Sequence, residues 1–139
     1  MVFGEEVRLP VKGFSGMVDI TGEVTGVARR SKIRRGLVNV FPIGSTSSIT
    51  TIEYEPALVE DFQQKLEEFV SRDWPSRHSE TWGDDNGFSH VRASFMGPGM
   101  TLPLHEGDLV LGTWQQIVLI NHDNRDRERR VFVQVMGEG

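Results

Sequence analysis

The densest run of chemically capable side chains is Trp82–Gly83–Asp84–Asp85–Asn86–Gly87–Phe88–Ser89–His90. Two acids, an amide and an imidazole fall within seven residues, beside two glycines. A carboxylate and an imidazole can orient each other for proton transfer, and Asp84 with His90 is the candidate pair. Asp84 and Asp85 point to opposite sides of an extended chain, so the two do not easily hold one ion together. Asp-Asp-Asn-Gly is equally an ordinary turn whose side chains bond their own backbone. Glu53 follows a Ser/Thr-rich run and either faces a pocket or is solvated. Gly112–Thr113–Trp114–Gln115–Gln116 opens a strand, and a Trp at a strand start serves as a core or subunit-contact residue. His78, beside Arg77, reads as a single exposed imidazole, and His105 and His122 fall in turns.

Arg29, Arg30, Lys32, Arg34 and Arg35 put five positive charges into seven residues. They are either a solvated helix end offsetting the macrodipole or an anion site. Gly44–Ser48 resembles a phosphate loop only weakly, and no Walker, GxGxxG, HExxH, GxSxG or EF-hand motif is present. The 139 residues carry a net charge of −5, four His and no Cys. That excludes a disulfide scaffold, a thiol nucleophile and any Cys-ligated centre, and leaves His, Asp and Glu as the available metal ligands. A globally acidic chain is a poor partner for nucleic acid. No apolar run approaches the roughly 18 residues of a membrane helix. Met1–Pro10 lacks the apolar core of a signal peptide. One soluble, cytoplasmic domain over residues 1–139 is expected.

Several elements must position these groups. Val2–Val11 reads as a strand, and apolar residues at 17, 20, 24 and 27 predict a short helix over Met17–Val27. Leu37–Phe41 reads as a buried strand, with Pro42 and Gly44 punctuating before Ser45–Ile52 as between paired strands. Pro56–Val70 is the clearest helix, with Pro56 at its first position and Leu58, Phe62, Leu66 and Phe69 as its stripe. Asp73–Gly87 reads as a long irregular loop. Phe88–Met96 alternates partly, so a strand is predicted there. Met100–Leu104, Leu109–Leu111, Gln115–Ile120 and Arg130–Met136 follow as strands, with Asn121–Arg129 as a hairpin loop. Many strands with few helices predict an α+β fold built on an antiparallel β-sandwich with one or two helices.

Three stretches together resemble the YjbQ-like family of small proteins: Leu37–Phe62, Trp82–Leu119 and Arg129–Glu138. The specific part is GDDN, SHVRAS and LGTWQ in combination. The resemblance implies a compact α+β protein on an antiparallel sandwich. It also implies a homotrimer with pockets near the subunit contacts, and a weak, secondary thiamine-phosphate-synthase-type activity on phosphorylated small molecules. Carried over position by position, it implies His90, Asp84 and Glu53 as catalytic residues. Arg92, Ser94, Asn86, Trp114 and Gln115 would then bind the substrate or anion. The family usually has histidine where this chain has Gly44, and often where it has Phe88. On a strand, imidazoles at 88 and 90 would share one face. With those two absent, neither metal nor other cofactor is expected, and Phe88 would stack on a ligand. The alternative function is a non-catalytic oligomeric small-molecule-binding protein.

Overall fold

The computed structural model describes all 139 residues. Two antiparallel sheets and four helices make an α+β sandwich. The larger sheet starts from β1 (Val2–Val11), which pairs along its whole length with β8 (Arg127–Glu138). β8 continues to β3 (Arg35–Ile43), β3 to β5 (Met100–His105), and β5 to the short β6 (Asp108–Leu109). The smaller sheet centres on β7 (Gln116–Asn121), flanked by β2 (Gly16–Asp19) and β4 (Ser47–Ile52).

Side-chain alternation explains why the sheets face each other. Val131, Val133 and Val135 of β8 and Val38 and Val40 of β3 point inward and share one apolar cluster with Ile117, Leu119 and Ile49 of the smaller sheet. Helix α1 (Thr21–Ser31) adds Val24, Val27 and Ala28 to the same cluster. The smaller sheet is apolar on both faces, because Val118 and Ile120 pack outward against Met17, Val59, Phe62 and Met96. That outer layer is α2 (Pro56–Phe69) and α4 (Gly87–Met96), with α3 (Arg77–Trp82) between them in the chain. Continuous burial from Ile117 to Asn121 therefore reflects a strand covered on two sides.

Several expectations change on the structure. The helix expected over Met17–Val27 begins at Thr21, because Met17–Asp19 pairs with β7 and Asp19 Oδ1 accepts the Thr21 amide. Leu37–Phe41 is buried on one face only, with Leu37 and Phe41 turned outward. Pro42–Thr46 and the segment after Asn121 are not turns between paired strands. Each carries the chain from one sheet to the other, since β4 and β7 belong to the smaller sheet and β3 and β8 to the larger. Phe88–Met96 is a helix, not a strand. Its buried residues Phe88, Ser89, Arg92 and Ala93 follow helical spacing, with an arginine standing where an apolar residue was sought. Asp73–Gly87 contains α3, started by the Ser76 hydroxyl accepting from the Ser79 amide. α2 matches its expected bounds within a residue, with Pro56 at its start and Glu55 accepting the Ala57 and Leu58 amides.

The basic run ends α1, with Arg29 and Arg30 in its last turn and Lys32 in the left-handed conformation beyond it. Arg30 holds Glu5, Arg35 holds Glu138, and Arg34 donates to the Glu106 carbonyl. No helix is long and apolar enough to cross a membrane.

Candidate functional site

The junction of α3 and α4 forms the most histidine-rich surface of the molecule. Gly87 begins α4 against Ser76, the cap of α3; a Cβ on Gly87 would collide with the Ser76 hydroxyl. This close approach sets His78 of α3 beside His90 of α4. The rings meet edge to face, with centroids 4.6 Å apart at 62°. Asp84, on the connection, places Oδ2 3.4 Å from His78 Nε2. Both imidazoles line an open cleft of about 660 Å³, with Trp74, Pro75, Arg77 and Val91. Burial lowers the His90 pKa from its ordinary value, the charge of His78 lowers it further, and Asp123 and Asp84 oppose the shift. The shift favours the neutral form of the His90 imidazole. The pair at this cleft comes from two helices.

Behind the cleft lies a buried polar network. Arg92 is 1% exposed and donates to the Val70 carbonyl, Glu67 and the Ser15 hydroxyl. Ser15 Oγ lies 2.7 Å from His122 Nδ1, and Ser48 Oγ lies 2.6 Å from His122 Nε2. Burial, reinforced by the charges of Arg92 and Arg129, pushes His122 down to about 3. Burial alone would raise Glu67, but the Arg72 amide and the Arg92 and Arg72 side chains outweigh it and hold the carboxyl at about 2. Asp123 accepts from Thr46, and burial, which would raise its pKa, is outweighed by the bonds it accepts from the Asn124 amide, Asn86 and Arg127, which lower it. Arg129 donates to Asn121 Oδ1, the Thr46 carbonyl and the Thr46 hydroxyl.

The residues singled out in sequence divide into three places. His90, Asp84 and Asn86 come together, with Asn86 tying the connection to Asp123. Ser94 is on α4 one turn past His90, and its hydroxyl donates to the His90 carbonyl. Arg92 faces inward, and its guanidinium is committed to protein partners. Glu53, Trp114 and Gln115 sit at the other end of the β4–β7 pair from Ser47 and Asn121, a strand length of about 17 Å. There, Glu53 and Trp114 line a separate groove, and Gln115 locks a turn by bonding Thr51 and the Gly112 amide. Phe88 does not stack on a ligand. Its ring is 2% exposed, parallel to Phe14, with the Arg92 guanidinium 4.9 Å from its centre. Positions 88 and 90 are about 200° apart on a helix, so they share no face.

Sequence reasoning missed His78 as a partner of His90, and His122, Asp123 and Arg129 as a buried cluster. His90 follows His78 by twelve positions, a spacing that becomes meaningful only once two helices meet at Gly87. No group of three or more His, Asp or Glu side chains is arranged to hold a metal ion.

Comparison with known proteins follows this architecture throughout. The family model described as "UPF0047 protein YjbQ-like" matches residues 5–138. A UPF0047 protein of Methanothermobacter thermautotrophicus is 38% identical over 137 residues, covering 99% of this chain and 94% of the relative. The UPF0047 protein YjbQ of Salmonella typhimurium is 28% identical over 129 residues, covering 91% of each chain. Among solved structures, a YbjQ-like protein of unknown function from Sulfolobus solfataricus P2 superimposes with a TM-score of 0.93 at 33% identity, covering 99% of both chains. An uncharacterised conserved YjbQ/UPF0047 family protein from Clostridium acetobutylicum gives 0.87 at 29% identity, covering 95% of this chain and 99% of that one. Sequence and overall fold agree, and the chain belongs to the YjbQ-like UPF0047 family.

Proposed function

We propose that the protein binds a phosphorylated small molecule in the cleft where His78 and His90 meet. The observation that carries this reading is the edge-on imidazole pair, with Asp84 beside His78 and Arg77 on the cleft wall. His90 accepts a hydrogen bond from the bound molecule, His78 Nε2, which has no hydrogen-bond partner within the fold, bonds it from the facing helix, and Arg77 supplies positive charge for the phosphate. The finer reading is a weak condensation of the thiamine-phosphate-synthase type, joining a pyrimidine diphosphate to a thiazole phosphate with release of pyrophosphate. Its support is the Arg77 cation on the cleft wall; a departing diphosphate needs such positive charge. Glu53, Trp114 and Gln115 join this cleft only if another subunit carries them there, as a homotrimer would. On the outer face of β3 and β8, Leu37 with Met136 and Phe41 with Phe132 make two exposed apolar cross-strand pairs either side of Asn39 and Gln134, which favours self-association.

The test is calorimetric titration with the thiazole phosphate, followed by assay of product formation. Saturable binding, weakened about tenfold or more by His90→Ala, is the expected result. No binding by the wild type overturns the reading. Binding without product selects the second reading, a non-catalytic small-molecule-binding protein. That reading is favoured by one observation: Arg92 is buried against Glu67 and is not at the cleft.

A further inference from the structure

A second cavity lies on the same side of α4. Gly87, His90, Val91 and Ser94 follow helical i, i+3, i+4, i+7 spacing. The first three line the histidine cleft, and Ser94, about 6 Å further along the axis, lines a separate cavity of about 350 Å³. Gly44, Ser45 and Ser47 close its other side. Three features of this cavity lack a purpose within the fold.

The Ser47 side chain is buried, yet its hydroxyl has no hydrogen-bond partner. Leaving such a group unpaired is costly, and a native fold retains one where something else fills the vacancy. Arg129 is also buried, and Nε and Nη2 carry all of its hydrogen bonds while Nη1 makes none. Nη1 and the Ser47 hydroxyl border the same space: a Cβ built on Gly44 would lie 3.2 Å from Nη1 and 3.6 Å from Oγ, with no third neighbour within 4 Å. Gly44 has φ +148°, a backbone conformation that side-chain-bearing residues rarely adopt. The third feature is charge. Arg129 and Arg127 share Asp123, which lies 2.7 Å from Arg127 and 4.0 Å from Arg129. His122 is neutral, and Arg92 is matched by Glu67. One guanidinium in this cluster lacks a full counter-charge, and a buried cation is stabilised by acquiring one.

We propose that the Gly44 cavity is an oxyanion subsite, in which Arg129 Nη1 and Ser47 Oγ hold a phosphate group in the space that glycine leaves open. Two donors converge there, one charged and one neutral, the pattern that suits a phosphate oxygen. The site deepens the preceding reading and rests on it for the rest of the ligand. It takes an anionic group other than the phosphate that Arg77 faces, beside Ser94, one turn of α4 from His90.

The experiment measures binding of inorganic phosphate by calorimetry at constant ionic strength, with chloride as the control. Wild-type protein is expected to bind it saturably. Ser47→Ala removes a hydroxyl that no protein group uses, so the fold and melting temperature are retained while affinity falls about tenfold. Gly44→Ala fills the space and lowers affinity at least as far. No wild-type binding, or equal binding by wild type, Ser47→Ala and Gly44→Ala, overturns the subsite. Weakening by His90→Ala with Ser47→Ala unaffected also overturns it, placing the phosphate in the histidine cleft and sparing the functional reading. Loss through Ser47→Ala, combined with no uptake of the thiazole phosphate by wild type, confirms the subsite and refutes that reading instead.

Discussion

His122 is held between two serine hydroxyls, and the protons around it admit one arrangement that satisfies every group. Arg92 donates to Ser15, whose own proton has only His122 Nδ1 to go to. Ser48 donates to Met96 Sδ and so accepts from His122 Nε2. The ring is therefore the neutral Nε2–H tautomer, and nitrogen-15 correlation spectra at pH 7 should show it; an Nδ1–H or doubly protonated ring would contradict the assignment. A pH dependence follows. Below its ordinary pKa of 6.5, His122 takes up a proton in the unfolded chain but not in the folded one until about pH 3. The unfolded state binds more protons in that window, so stability falls as pH drops through it. Urea unfolding at pH 5.5 should give a free energy about 1.4 kcal/mol below that at pH 7.5, and equal values would refute the linkage. Arg92 is the other anchor. Arg92→Ala leaves Glu67 without its buried partner and should cost on the order of 3 kcal/mol in the same assay. Loss of ligand affinity at unchanged stability would show instead that Arg92 serves the ligand. At this scale the sequence was half legible. His90 and Asp84 stood out because they share one short run. His122 and Arg129 did not, because nothing in a polar segment announces that it will be buried between two sheets.

Helix α4 decides which side chains reach the cleft. Its sequence, GFSHVRASFM, alternates like a strand because Arg92 occupies an interior position and Ser89 and Ala93 are too small to mark an apolar stripe. Packing on β4 and the docking of Gly87 onto Ser76 override that pattern. The consequence is specific: residue 88 turns inward and residue 90 outward, so an imidazole at 88 would not reach the cleft. Gly87→Ala tests the docking. A Cβ there displaces Ser76, uncaps α3 and moves His78 away from His90. A loss of about 1–3 kcal/mol is expected, together with weakened ligand binding. Unchanged melting and binding would mean that α3 does not need this contact. α2, by contrast, was readable to within a residue, since its proline, its cap and its apolar stripe all lie in consecutive sequence.

At the scale of the whole molecule, the sandwich was foreseeable from the number of apolar strand runs, but the pairing was not. The segments after β3 and β7 look like turns, and each leads into the other sheet, a choice made by long-range partners that spacing does not encode. The exposed apolar pairs Leu37–Met136 and Phe41–Phe132, either side of Asn39 and Gln134, are the surface expected to bury itself between subunits. Light scattering should report three times the 15.7 kDa chain mass, and Phe41→Glu should shift it toward one. A wild-type monomer would refute the trimer and leave Glu53 and Trp114 without a route to the cleft. The central claim is ligand binding at the histidine pair, and titration of the thiazole phosphate into wild-type and His90→Ala protein tests it most directly. Saturable binding that weakens about tenfold or more without His90 is the predicted result; equal binding by both proteins, or none by either, would contradict it.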